Sequence, residues 1–261
     1  MASDALQSEV TPRRVALTML AHPDDAEILC GGTLVRLRDL GWDIHIATAT
    51  SGDCGTMTHS ARDISEIRTA EAINAASLVG GTFHCLGELD GRVCYNAGTI
   101  QKAFDLFRRI NPSLVITHPR LDYMLDHEQV HLIARMASFL YAAPNVSDAV
   151  SVPPQARVPH LYYCDPIGGS DPYTGELVAA STVVDVSAAH TMKLSMLSCH
   201  ASQREWLRSH HGMDEYLEAT RRHDAVRGES IGVAFAEAFT QHRGHAYPQD
   251  DLLRQILRLT K

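Results

Sequence analysis

The chain has 261 residues, 45% of them hydrophobic and 21% charged, with a formal net charge of −8. That balance supplies a full globular core, and its scattered lysines and arginines lack the basic stripe that a nucleic-acid partner needs. No apolar run approaches the ~20 residues of a membrane span, and the N-terminus lacks the charged-then-apolar order of a signal peptide.

Arg14–Leu20 (RVALTML) is a short apolar run with β-branched members, the pattern of a buried strand. Residues 26–40 (AEILCGGTLVRLRDL) repeat apolar positions every three or four residues and stop at Gly41, which predicts a helix. Asp43–Thr50 (DIHIATAT) reads as a second strand, followed by the turn-rich SGDCGTM. An amphipathic helix is predicted over 61–81, a third strand over 82–87, a third helix over 99–110 and a fourth strand over Pro112–His118. A helix from about Glu128 to Ala142 follows.

Strands alternating with helices across short loops predict an α/β fold, a Rossmann-like and mostly parallel sheet flanked by helices. The Pro-rich Ala142–Pro159 marks a change of style; beyond it lie only isolated strands (HLYYC, STVVDV) and a helix around MDEYLEATRRHDAV. The expected organisation is a single domain over 1–261, with a core of about 13–145 and a C-terminal elaboration of about 146–261 capping the same sheet. Six cysteines (Cys30, Cys54, Cys85, Cys94, Cys164, Cys199) form no CxxC pair and read as reduced thiols of a cytoplasmic protein.

In open α/β sheets, ligands bind outside the carboxyl ends of the strands. His22, Asp24 and Asp25 follow the first strand, Ser51 to Gly55 the second, Glu88, Asp90 and Gly91 the third, and His118, Asp122, Asp126 and His127 the fourth. His22 and Asp25, one turn apart, can aim an imidazole nitrogen and a carboxylate oxygen at one point, as a catalytic Zn²⁺ site requires. Asp24, between them, would then face the metal's water as general base. The third ligand is expected from Asp122–His131, with His127 or His131 as candidates and His127 nearer the strand end. The same acidic residues also suit a plain helix N-terminus complementing the dipole, and His-x-x-Asp spacing alone does not choose.

The stretch AHPDDAEILCGGTL resembles the signature of the PIG-L/LmbE-type zinc de-N-acetylases, and the resemblance continues through TATSGDCG, RTAEAINAA, LGELDG, NPSLVITH and DYMLDH. It implies one Zn²⁺ held by His22, Asp25 and His127, with Asp24 as base and Asp126 orienting a catalytic or ligand histidine. Arg68 and Asp90 would contact substrate; without the resemblance, Arg68 beside Glu66 and Glu71 reads as a surface ion pair. The implied reaction is removal of an acetyl group from an N-acetylated amino sugar or glycoconjugate by attack of a zinc-bound water. Other amide conjugates of thiol-sugar type, or sugar binding without catalysis, are the alternatives, and a homo-oligomer is compatible. The chain departs from the family where Met124 replaces the first His of a His-Pro-Asp-His motif, a residue associated with oxyanion stabilisation. His200, His245 and Tyr123 are the expected substitutes, with His210, His211 and His242 also available, and Trp206 and Tyr247 offer stacking surfaces.

Overall fold

The structure, a computed structural model, describes residues 14–211 and 216–259. Its strands are β1 (Val15–Leu20), β2 (Asp43–Thr50), β3 (Thr82–Glu88), β4 (Leu114–Thr117), β5 (His160–Cys164), β6 (Thr182–Asp185) and β7 (Ala236–Gln241). Its helices are α1 (Asp25–Asp39), α2 (Ala61–Ser77), α3 (Ala97–Ile110), α4 (Leu125–Leu140), α5 (His190–Leu197), α6 (Ala201–His211), α7 (Tyr216–Glu229) and α8 (Leu252–Ile256). All seven strands join one sheet in the order β3-β2-β1-β4-β5-β7-β6. β1 to β5 are mutually parallel, and β7 runs antiparallel to both β5 and β6.

Every residue of β1 is buried, because helices cover both faces of this central strand. Ala16 and Leu20 pack with α1, α5 and α8 on one face; Val15, Leu17 and Met19 pack with α3 and α4 on the other. The chain winds outward from β1 to β3, then returns to place β4 on the other side of β1. That reversal opens a crevice at the carboxyl ends of β1 and β4.

The strands after residue 146 are not isolated: they extend the sheet beyond β4. β7, unpredicted, carries the reason in its own sequence, AEAFTQ. Glu237 is buried and accepts from the backbone N–H groups of Gly32 (2.8 Å) and Thr33 (2.7 Å) in α1. The ammonium of Lys193, fully buried on α5, lies 2.8 Å from Glu237 and 2.7 Å from Asp224 of α7. A charged residue thus occupies an inward strand position, where an apolar one would have revealed the strand. The same ion cluster ties α1, α5, α7 and β7 together. Lys193→Met leaves two carboxylates buried without their cation. It is expected to cost about 3–5 kcal/mol, read as a lowered urea midpoint.

Candidate metal centre and pocket

His22 follows β1 directly, Asp25 opens α1, and His127 lies in the first turn of α4, which begins at Leu125 rather than near Glu128. The crevice brings these three buried side chains together. His22 Nδ1 lies 3.5 Å from Asp25 Oδ2 and 3.3 Å from His127 Nε2, while Asp25 Oδ2 lies 3.7 Å from His127 Nε2. Ligand atoms bonded at about 2.0–2.1 Å to a tetrahedral Zn²⁺ stand roughly 3.3–3.4 Å apart. The triangle therefore has the size and the donor types for that ion.

Carboxylates sit behind both imidazoles. Asp126 Oδ2 lies 3.2 Å from His22 Nε2 and accepts the Gly91 N–H at 2.6 Å; Asp122 Oδ2 faces His127 Nδ1 at 3.3 Å. Partners of this kind fix which ring nitrogen carries the proton and leave the other free to ligate. His118 stacks on His127 with centroids 3.9 Å apart, and its Nε2 accepts the Ala21 N–H at 2.9 Å. Burial pushes His118 down to about 4. Burial would lower His22 too, but hydrogen bonds to Asp126 and Asp25 and the charge of Asp90 push it up to about 10. Asp25 is held well below the usual carboxylate range: burial opposes this, and His127, His118 and His22 outweigh it. The carboxylates of Asp25, Asp90, Asp122 and Asp126 thus surround the imidazoles of His22 and His127.

Asp24 does not cap α1 with its side chain. Its backbone takes φ 107°, a left-handed conformation that non-glycine residues rarely adopt, and the two adjacent aspartates consequently part. Asp25 turns to the imidazoles, whereas Asp24 Oδ2 accepts a 2.7 Å hydrogen bond from the Tyr216 hydroxyl and lies 3.6 Å from Arg68 Nη2. Burial raises the Asp24 carboxyl, and Asp25 adds to this; Arg68, His200 and Tyr216 oppose it. A raised carboxyl is suited to exchange protons.

Arg68 is only 4% exposed, so it forms no surface pair with its neighbours. Glu66 binds Arg62, and Glu71 accepts from Ser202. The Arg68 guanidinium instead donates to the carbonyls of Pro23 (2.6 Å) and Gly52 (3.3 Å). A Cβ on Gly52, whose φ is +78°, would overlap that guanidinium.

These residues border a cavity of about 850 Å³. His22, Asp24, Asp25, Arg68 and Asp90 line it, with Asp126 and His127 buried behind. Asp90 Oδ2 accepts the Cys54 N–H at 3.0 Å, and its Oδ1 is 3.9 Å from His22 Nε2. His131 stands apart from the triangle, with Nδ1 3.0 Å from the His118 carbonyl. Met124 and Tyr123 both line the cavity, and the Tyr123 ring meets His127 edge-on at 5.4 Å. His200 does not reach the cavity lining; it is buried 3.4 Å from Glu27. His245 is exposed elsewhere, and His242 hydrogen-bonds the Tyr163 hydroxyl at 2.8 Å. Tyr247 is buried and donates to the Arg135 carbonyl rather than offering a stacking face. The side chains of Trp206, His210 and His211 lie outside those described. Cys30 is buried in the core, Cys54 borders the cavity, and all six cysteines are free.

A switch-point α/β fold thus sets a His/Asp/His cluster of metal-binding size beside a second, half-buried carboxylate, Asp24. Residues 17–138 match the family model PIG-L: GlcNAc-PI de-N-acetylase, so this stretch is similar to that family. The chain is 29% identical over 192 residues to the diacetylchitobiose deacetylase of Thermococcus kodakarensis, covering 70% of this chain and 67% of that protein. It is also 22% identical over 244 residues to the 4-oxalmesaconate hydratase of Pseudomonas putida KT2440, covering 90% and 89%. The fold is shared with N,N'-diacetylchitobiose deacetylase from Pyrococcus horikoshii, at a TM-score of 0.74 and 23% identity over 92% of this chain and 88% of that one.

Sequence reasoning missed Tyr216, His118 as the ring stacked on His127, and Asp122 as the group behind it. The last two stood in the polar cluster after β4, whereas Tyr216 comes from 192 residues beyond Asp24 with no local signal. Gly52→Ala is expected to unseat Arg68 and destabilise the fold by about 1–3 kcal/mol, measured by thermal denaturation.

Proposed function

We propose that this protein is a metal-dependent hydrolase that removes the acetyl group from an N-acetylated amino sugar. The triangle of His22 Nδ1, Asp25 Oδ2 and His127 Nε2 carries this reading. These three residues would hold one Zn²⁺, which when bound supplies Lewis-acid polarisation of the amide carbonyl and a lowered pKa for water.

The protein's own residues do the rest. Asp24 accepts a proton from water as the water oxygen bonds to the acetyl carbon. Its burial favours holding that proton until the carbon–nitrogen bond breaks and the proton passes to the departing amine. The amine leaves, and the acetic acid formed gives up its proton to it, so that acetate and the ammonium form of the sugar result. Tyr216 and Arg68 hold the Asp24 carboxylate in place, Asp126 sets the tautomer of His22 through its hydrogen bond to Nε2, and the Asp122 carboxylate stands 3.3 Å from His127 Nδ1. Asp90 and the Gly91 turn stand where substrate hydroxyls can be met. Tyr123, the hydroxyl-bearing residue beside Met124, is the donor offered to the developing oxyanion.

Hydratases among the relatives give a second reading, water addition to an unsaturated acid using the same base. The cavity's carboxylates, Asp24, Asp25 and Asp90, outnumber its arginines, Arg68 and Arg222, which favours a neutral amide over a polyanionic acid.

Asp24→Asn should retain zinc and fold yet lose at least about 100-fold in acetate release; near-full activity would remove Asp24 as base. Zinc per chain, measured by atomic absorption after dialysis, should fall in His127→Ala and hold in His131→Ala. Tyr216→Phe should lower kcat about tenfold with zinc content unchanged.

A further inference from the structure

Among the described residues, two groups of side chains apart from the triangle gather metal-ligating atoms within 4.8 Å of one another. One, His118, Asp122 and His127, shares His127 with the triangle and stacks its two imidazoles at 3.9 Å, with 12° between their planes. Nitrogen lone pairs lie in the ring plane, so two stacked rings cannot aim theirs at one ion. The other group, Asp53, Cys54 and Asp90, meets no such obstacle.

Asp53 and Cys54 follow β2, and Asp90 follows β3. Asp53 Oδ1 accepts the Asp90 N–H at 2.7 Å and Asp90 Oδ2 accepts the Cys54 N–H at 3.0 Å, so the two loops clasp each other. The Asp90 side chain is only 7% exposed, and its Oδ1, 3.9 Å from His22 Nε2, is buried without a hydrogen-bond partner. A buried carboxylate oxygen is costly until a donor or a cation meets it. Burial and the charges of Asp53 and Asp90 push the Cys54 thiol up. A thiol held protonated in this way gives up its proton when a metal ion binds.

The donors select the ion. Calcium and magnesium take oxygen shells, whereas one thiolate with two carboxylates suits a borderline or soft divalent cation such as Zn²⁺ or Cd²⁺. Cys54 is exposed and lines the cavity, so the remaining coordination positions open to water. His22 turns Nδ1 to the triangle and Nε2 toward Asp90, which sets its ring between the two places.

We infer that Asp53, Cys54 and Asp90 form a second cation site at the rim of the cavity, distinct from the His22/Asp25/His127 centre, which takes a thiophilic divalent cation. Binding forms one sulfur–metal and two oxygen–metal bonds and releases the thiol proton to solvent, with no change of oxidation state. The ion ties the loop after β2 to the loop after β3 and takes up the Asp90 carboxylate, which also lines the cavity. Because the thiol must first lose its proton, the rim fills after the buried triangle at neutral pH.

Titrating Cd²⁺ into the full-length protein loaded with one equivalent of Zn²⁺, and following the ultraviolet charge-transfer band of a cadmium–thiolate bond, tests this. The band should rise to a plateau at one added equivalent, vanish in Cys54→Ser, and persist in Cys85→Ser and Cys94→Ser, the other exposed cysteines. Asp53→Asn, whose amide oxygen still accepts the Asp90 N–H, should weaken Cd²⁺ binding at least about tenfold. Zinc retained throughout, read by atomic absorption, supports a separate site. The inference is overturned by the absence of a band, by a band that survives Cys54→Ser, by an affinity unmoved in Asp53→Asn, or by one-for-one loss of zinc. The band reports binding alone, so failure to release acetate from any substrate removes the hydrolase reading and leaves this one standing.

Discussion

The centre depends on one backbone constraint: the left-handed conformation of Asp24, at φ 107°, between β1 and α1. An ordinary helix start would point Asp24 and Asp25 toward the same N-terminal amides. Here the strained residue, at a cost of order 1–3 kcal/mol, sends the two carboxylates apart. One joins two imidazoles, and the other meets Tyr216 and Arg68. Adjacent residues of the same type thereby acquire different charge environments. Asp25 is driven down by histidines and Asp24 is driven up by burial, the divergence that the proposed roles of ligand and base call for.

Most of the remaining structure holds that division in place. Parallel pairing of β1 with β4 sets the end of one strand beside the other, which brings residue 22 to residue 127. Gly52 and Gly55 leave room for the Arg68 guanidinium beneath Asp24. On the far side, Lys193 anchors α7 through Asp224 while Tyr216 at the start of that helix reaches Asp24. The C-terminal elaboration is therefore not a mere cover. It supplies Tyr216, the hydrogen-bond partner of Asp24, and part of the cavity lining.

The parallel half of the fold was legible because β1, β4 and most of β2 are buried on both faces and read as apolar runs ended by turns. β7 was not, since Glu237 points inward to meet Lys193 and breaks the pattern. His22, Asp24 and Asp25 were legible as a local motif, and His127 because the end of β4 lies beside that of β1. Arg68 misled when read locally: its sequence neighbours are acidic, yet its partners are the carbonyls of Pro23 and Gly52. Tyr216 was invisible, because no sequence spacing links α7 to the start of α1. The replacement of a histidine by Met124 was plain in the sequence, and the structure puts Tyr123 on the same cavity lining while keeping His200 and His245 away from it.

X-ray absorption at the zinc edge, on protein loaded with one equivalent of Zn²⁺, tests the proposed metal centre most directly. Two imidazoles and oxygen donors at about 2.0–2.1 Å are the predicted spectrum, with the imidazole contribution halved in His22→Ala. A sulfur-containing shell, or a hydrated six-oxygen shell without imidazole, would contradict the centre described here.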